Sequence, residues 1–142
     1  MKSLKDVMST DITVCRKDDT LYDAATKMKE HNVGVIPVCD ENKKLDGVIT
    51  DRDLVLRGYA ERKPDTEAVQ QVMSEQLHYE APDTSVQTAA SIMAQNQIRR
   101  LPVVENGKLA GIVSLGDLSL EDKSNEAAGS ALEEISEQPG FH

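Results

Sequence analysis

The chain repeats itself. Val7-Met8-Ser9 opens a segment that runs through Ile36-Pro37-Val38 to Gly47-Val48-Ile49-Thr50-Asp51-Arg52-Asp53-Leu54. Val72-Met73-Ser74 opens a second, running through Leu101-Pro102-Val103 to Gly111-Ile112-Val113-Ser114-Leu115-Gly116-Asp117-Leu118. The offset is 65 residues from Val7/Val72 to Val38/Val103 and 64 at Gly47/Gly111, so the first copy carries one extra loop residue. A repeat of fixed period constrains the architecture more than any local signal. Two copies are too few for a solenoid, which takes roughly three or more units to build a continuous core. The repeat therefore predicts a closed pair with pseudo-two-fold symmetry. Each copy covers about 50 residues, too few to hold a comfortable core alone, so the two are expected to pack on each other.

Within each copy the elements follow one plan. Asp18-Asp19-Thr20 supplies helix-capping chemistry, and Leu21, Ala24, Ala25 and Met28 follow at helical spacing. Val33 to Val38 is apolar and β-rich, Asp40-Glu41-Asn42-Lys43 is a turn, Leu45 to Thr50 is a strand, and Asp51 to Arg57 is a second helix. In the second copy Asp83-Thr84-Ser85 caps a helix carrying Val86, Ala89, Ala90 and Met93. Ile98 to Val104 is a strand, Glu105-Asn106-Gly107 a hairpin turn, Leu109 to Ser114 a strand, and Leu115 to Leu120 a short helix. With an opening strand each, the fold class is α/β (α+β): two β-α-β-β-α repeats. Residues 1–60 form the first repeat, 61–71 a linker with a short helix from Thr66, and 72–120 the second repeat. Residues 121–142 form an acidic tail, read as an amphipathic helix from Ala128, Leu132 and Ile135. With no Trp and one Phe, at position 141, the core has to be aliphatic.

The net charge is −9, but residues 120–142 account for −5 of it. No basic face is in view, which argues against a nucleic-acid binder. No apolar run approaches the roughly 18 residues of a membrane span, and no signal-peptide pattern opens the chain, so the expected setting is cytoplasmic. Cys15 and Cys39 form no CxxC; they read as two small, partly buried thiols, with a single disulfide as the alternative. His31, His78 and His142 stand apart, and nothing has metal-ligand or nucleophile spacing. The chain is read as having no catalytic residues, no metal site and no required cofactor.

What repeats is a small hydroxyl residue at the end of a strand with Asp three positions on: Thr50/Asp53 and Ser114/Asp117. One reading is a capping box. The other is a ribose-phosphate site, where the hydroxyl and helix N–H groups meet phosphate and the carboxylate meets vicinal ribose hydroxyls. The sequence leaves both open.

The ordered double pattern, an apolar stretch with Pro-Val, a polar turn, then Gly-x-x-(Thr/Ser)-x-x-Asp-Leu, resembles the CBS-domain pair, or Bateman module. HNVGVIPV, GVITDRDL, QIRRLPVV and GIVSLGDL are similar to stand-alone bacterial CBS-pair proteins, and SNEAAGSALEEIS to the tail of a Bacillus-type subgroup. The resemblance spans residues 7 to about 120. It implies two clefts between the repeats that take adenosyl ligands: AMP, ADP or ATP, sometimes S-adenosylmethionine or a dinucleotide. One cleft would use Val33, Gly34 and Val35 with Ser114 and Asp117, and Thr13 on its wall. The other would use Ile98, Arg99 and Arg100 with Thr50, Arg52 and Asp53, and His78 at the position matching Thr13. Arg52, Arg99 and Arg100 have no basic counterparts in the other copy, and guanidinium groups favour phosphate. That predicts a phosphorylated adenosine in the second cleft, unless Arg99 or Arg100 pairs with Asp51 or Asp53 instead. The implied function is a non-catalytic sensor of adenine nucleotide that works through a downstream protein, with no nucleic-acid or membrane partner. The alternative is a homodimeric scaffold, joined through helices carrying Met28 and Met93, whose clefts are vestigial or bind another adenosyl ligand.

Overall fold

A computed structural model describes residues 2–75 and 78–119. The acidic tail falls outside them.

Two short strand pairs and their helices make up the described chain. α1 is Leu4–Val7, α2 Leu21–His31, β1 Val35–Cys39, β2 Leu45–Thr50, α3 Asp51–Asp53, α4 Val86–Asn96, β3 Arg100–Glu105, β4 Lys108–Ser114 and α5 Leu115–Ser119. β1 pairs antiparallel with β2, and β3 with β4. The second hairpin turns through Asn106 (φ 55°) and Gly107 (φ 79°), the left-handed conformations a two-residue turn demands.

The helices start where capping chemistry places them. Thr20 Oγ1 accepts from Asp23 N–H at 3.0 Å and Asp23 Oδ2 accepts from Thr20 N–H at 3.0 Å, closing a capping box. Ser85 caps α4 by accepting from Thr88 N–H at 3.1 Å. Both helices end on a left-handed residue, Asn32 and Gln97.

Three expectations are revised. The opening strands shrink to single parallel bridges, Cys15 to Val38 and Glu80 to Val103. Cys15 N–H donates to Pro37 O and Cys39 N–H to Cys15 O; Glu80 N–H donates to Pro102 O and Val104 N–H to Glu80 O. The next rung toward the N-terminus would need an N–H from Pro37 or Pro102, which proline lacks, so each ladder stops there. The second helix of the first copy continues beyond Arg57 but widens after Asp53 into a π-helix over Leu54–Tyr59. Ala60 N–H reaches Val55 O and Lys63 N–H reaches Gly58 O, while Gly58 seats against Leu21. Finally, the short helix of the linker is one 3₁₀ turn, Val69–Gln71.

The chain divides into two compact units that are offset from the repeat. Of the described residues, one comprises 13–75 with Gly107–Leu109; the other comprises 2–12, His78–Asn106 and 110–119. The first-repeat unit buries Cys15, Leu21, Ala24, Met28, Ile36, Val38, Ile49, Val69, Val72 and Met73. The second-repeat unit buries Leu4, Val86, Ala89, Ala90, Met93, Leu101, Val103, Val113, Leu115 and Leu118. Burial at about 25 cal/mol per Å² of apolar surface is the main force holding each. Met28 and Met93 lie inside these cores, so they are not available as a dimer face. The exposed large apolar side chains are instead Tyr22, Val55, Leu56, Tyr59 and Tyr79.

The Val-Met-Ser motifs explain the offset. Ser9 exchanges two backbone hydrogen bonds with Ile112, at 2.9 and 3.0 Å. Ser74 does the same with Val48. Each motif thus docks on the β-strand of the other sequence copy. There it lies over a glycine: Met8 over Gly111, Met73 over Gly47.

Candidate functional site

In both units the hydroxyl-carboxylate pair closes a capping box at a strand-to-helix turn. Thr50 N–H donates to Asp53 Oδ2 at 3.0 Å and Asp53 N–H donates to Thr50 Oγ1 at 3.0 Å. Ser114 N–H donates to Asp117 Oδ2 at 2.9 Å and Asp117 N–H donates to Ser114 Oγ at 3.1 Å. All four residues are half-buried. The same oxygens that cap the helix are held at the mouth of the turn, with their orientation fixed by the backbone.

A second link brings the segment before each proline to the same place. Asp51 N–H donates to Gly34 O at 2.9 Å, and in the other unit Leu115 N–H donates to Arg99 O at 3.1 Å. Val35 is the register partner of Thr50. The first-repeat unit therefore gathers Val33, Gly34, Val35, Thr50, Arg52 and Asp53 at one end of its hairpin. The second-repeat unit gathers Ile98, Arg99, Arg100, Ser114 and Asp117 likewise. Val33, Val35, Ile98 and Arg100 are half-buried; Arg52 and Arg99 are exposed. Thr13, half-buried, and His78, exposed, each precede a parallel bridge by two residues, just past the point where proline ends the ladder.

Asp51, read from the sequence only as an acid that could pair with Arg99 or Arg100, lies instead against Gly34. Its Oδ2 stands 3.0 Å from where a Gly34 Cβ would be, and its Oδ1 accepts from Arg52 N–H at 2.8 Å. The available signal was the repeat alignment, which puts Leu115 opposite Asp51.

The far end of the first hairpin holds a shallow recess of about 450 Å³, lined by Arg16, Lys17, Cys39, Lys44 and Asp46 among others. Its charges largely serve the fold: Lys17 Nζ stands 4.0 Å from Asp46 Oδ1, and Asp40 Oδ1 accepts from the Asn42 and Lys44 N–H groups. Cys15 and Cys39 are free thiols. Cys15 sits in the core cluster, while Cys39, past a bulge in β1, lines the recess. Burial pushes both thiols up to about 11, with Asp46 and Asp40 adding to the effect at Cys39. Among the described residues, no helix is long and apolar enough to cross a membrane.

Comparison with known proteins adds three kinds of likeness. The CBS domain family model matches residues 4–58 and 69–122. The Bacillus subtilis protein YlbB is 50% identical over 138 residues, covering 96% of this chain and 93% of YlbB. The crystal structure of CBSX2 in complex with AMP matches with a TM-score of 0.75 at 27% identity, covering 84% of this chain and 95% of that one. The CBS domain pair of protein MJ0100, in complex with 5′-methylthioadenosine and S-adenosyl-L-methionine, matches with a TM-score of 0.74 at 27% identity, covering 84% and 98%.

Proposed function

The chain belongs to the CBS-domain family, and from that premise we propose that it is a non-catalytic regulatory module whose ligand is an adenine nucleotide. The observation that carries this reading is the duplicated turn, in which a hydroxyl, an ordered carboxylate and a strand entry are fixed together in each unit. Two solved relatives, CBSX2 and the MJ0100 pair, hold adenosyl compounds. The adenine edge would meet the backbone at Val33–Val35 or Ile98–Arg100, with Thr13 and His78 alongside. Asp53 or Asp117 would accept from the ribose hydroxyls, and Thr50 or Ser114 would donate to phosphate. Arg52, Arg99 and Arg100 supply the countercharge for AMP, ADP or ATP. A ligand so held biases the protein toward the shape it binds better, by no more than its differential affinity, and a downstream protein reads that shape.

The test is thermal unfolding of nucleotide-stripped protein with AMP, ADP, ATP or S-adenosylmethionine at about 1 mM. A micromolar site adds about 4 kcal/mol at that excess. A shift with the phosphorylated adenosines, abolished by Asp53→Ala or Asp117→Ala and much reduced by Arg100→Ala, supports the reading. No shift with any of them overturns it.

A second reading rests on the exposed apolar residues. Val55, Leu56 and Tyr59 lie on the π-helix, with Tyr22 on the α2 turn whose Leu21 contacts Gly58. A homodimeric interaction protein would cover them. Its mark is an oligomeric state that ignores ligand and is lost in Leu56→Asp/Tyr59→Asp.

A further inference from the structure

The Val72-Met73-Ser74 motif is bonded to both sides of one turn. On the strand side, Ser74 exchanges its two hydrogen bonds with Val48, two residues before Thr50 on β2. On the helix side, Arg57 Nη1 donates to Met73 O at 3.0 Å. Arg57 stands on the π-helix four residues after Asp53, whose carboxylate closes the capping box with Thr50. These links form a closed ring: Val48 to Thr50 along the strand, Thr50 to Asp53 through the box, Asp53 to Arg57 along the helix, Arg57 to Met73, and Ser74 back to Val48. The other copy differs at the closing link. Under the 64-residue offset that holds at Gly47/Gly111, the position of Arg57 falls on Glu121. A carboxylate is acceptor-only and cannot donate to a carbonyl.

We infer that Arg57 is a positioning residue, the relay through which the Thr50–Asp53 turn and the Met73-Ser74 segment sense each other, and that Glu121 denies the second copy the same link. This goes beyond the adenosyl-binding reading and stands without it. A guanidinium bonded to a carbonyl is a charge-assisted link of fixed geometry, so the start of the helix cannot tilt without pulling on Met73. The chain passes out of this unit at His78, four residues beyond Ser74, so the pull acts close to the join of the two repeats. Any ligand that moves Asp53 is felt at Ser74, and by reciprocity a displacement of Ser74 is felt at the turn.

The experiment is amide hydrogen exchange of the ligand-free, full-length protein, read residue by residue by NMR. Ser74 N–H, bonded to Val48 O, is the reporter, and Cys39 N–H, bonded to Cys15 O in the same unit, is the reference. Arg57 is exposed, so Arg57→Met keeps an apolar stem and removes the donor without opening a cavity. It should speed exchange at Ser74 about tenfold relative to Cys39, the scale of a hydrogen bond from a charged group. Arg57→Lys, which keeps a donor, should restore part of the protection. Thr50→Ala, which opens the capping box, should speed Ser74 relative to Cys39 in the wild-type background and do so much less in Arg57→Met, and that non-additivity measures the coupling. If the double variant does not fold, Asp53→Asn replaces Thr50→Ala as the milder opening of the box. Glu121→Met should leave exchange at Ser9 N–H, bonded to Ile112 O, unchanged. Equal effects of the box variant in both backgrounds overturn the relay. So does an Arg57→Met loss of protection that is the same at Ser74 and Cys39, because that is general destabilisation. Faster exchange at Ser9 in Glu121→Met overturns the difference between the copies.

Discussion

Ser74 and Val48 exchange two backbone hydrogen bonds, Val48 N–H to Ser74 O at 3.0 Å and Ser74 N–H to Val48 O at 2.9 Å. Ser9 and Ile112 repeat the exchange in the other unit. These are bonds between a motif of one sequence copy and a strand of the other. They set the glycine requirement one residue away, because Met73 and Met8 cross the strand at Gly47 and Gly111.

The two glycines should fail differently. A Cβ on Gly47 would stand 2.6 Å from the Ser74 carbonyl oxygen, which cannot move without breaking the exchange. A Cβ on Gly111 would run chiefly into the Met8 side chain. Each Ala substitution should cost about 1–3 kcal/mol by overpacking. Adding Met8→Ala should relieve much of the Gly111→Ala loss, whereas Met73→Ala should leave the Gly47→Ala loss in place. Urea denaturation of the two double-mutant cycles checks this.

The capping boxes allow cap and ligand roles to be separated. Thr50→Ala removes the acceptor of the Asp53 N–H and should cost about 1 kcal/mol in ligand-free protein. With AMP present the loss should be larger by the binding energy that the hydroxyl and the ordered Asp53 carboxylate contribute. Equal losses with and without AMP would reduce Thr50 to a helix cap.

The thiols should be silent in the native protein. With both held at about 11, the reactive thiolate is scarce at pH 8. A thiol reagent at that pH should modify neither Cys15 nor Cys39 until denaturant is added. The folded pKa lies above the ordinary 9.0, so the folded state keeps its protons longer. Stability from these thiols is complete below about pH 9 and falls as pH rises from there towards 11. Cys15→Ala should flatten that alkaline limb.

Acid should act through the turns. Asp6, Asp23 and Asp40 are all held below the usual 3.8, first by backbone N–H groups of Ser3, Thr20 and Lys44 respectively. A lowered folded pKa gives stability that is present above the unfolded value and is lost as pH falls through the folded one. Unfolding midpoints should therefore drop below about pH 4. Asp23→Asn should weaken that acid dependence.

Local chemistry was readable from the sequence, and long-range partnership much less so. Thr20, Ser85, Asn106 and Gly107 announce helix starts and a hairpin because each satisfies or permits its own backbone nearby. The family pattern, with Pro37 and Pro102 in it, was equally plain. What those prolines do to the opening strands was not, since the missing N–H matters only once the parallel register of Cys15 on Val38 is known. The destination of Val7-Met8-Ser9 was hidden because nothing adjacent to it names Ile112. At the candidate site, the hydroxyl-carboxylate pairs close the capping boxes that their spacing permits. Asp51 entered the sequence reading only as an acid that could pair with Arg99 or Arg100, because its place beside Gly34 shows only in the fold.

The offset between repeat and unit also bears on synthesis. As the chain leaves the ribosome, residues 13–77 emerge as one unbroken stretch, holding nearly everything the first-repeat unit requires. Leu4 to Ser9 emerge earlier still, but Leu4 bonds to Thr84 and Ser9 to Ile112, so they find their place only after a long stretch of later chain has been made. Until then the apolar Leu4 and its neighbours travel uncovered. A nascent chain stalled before Ile112 has emerged would present them to chaperones.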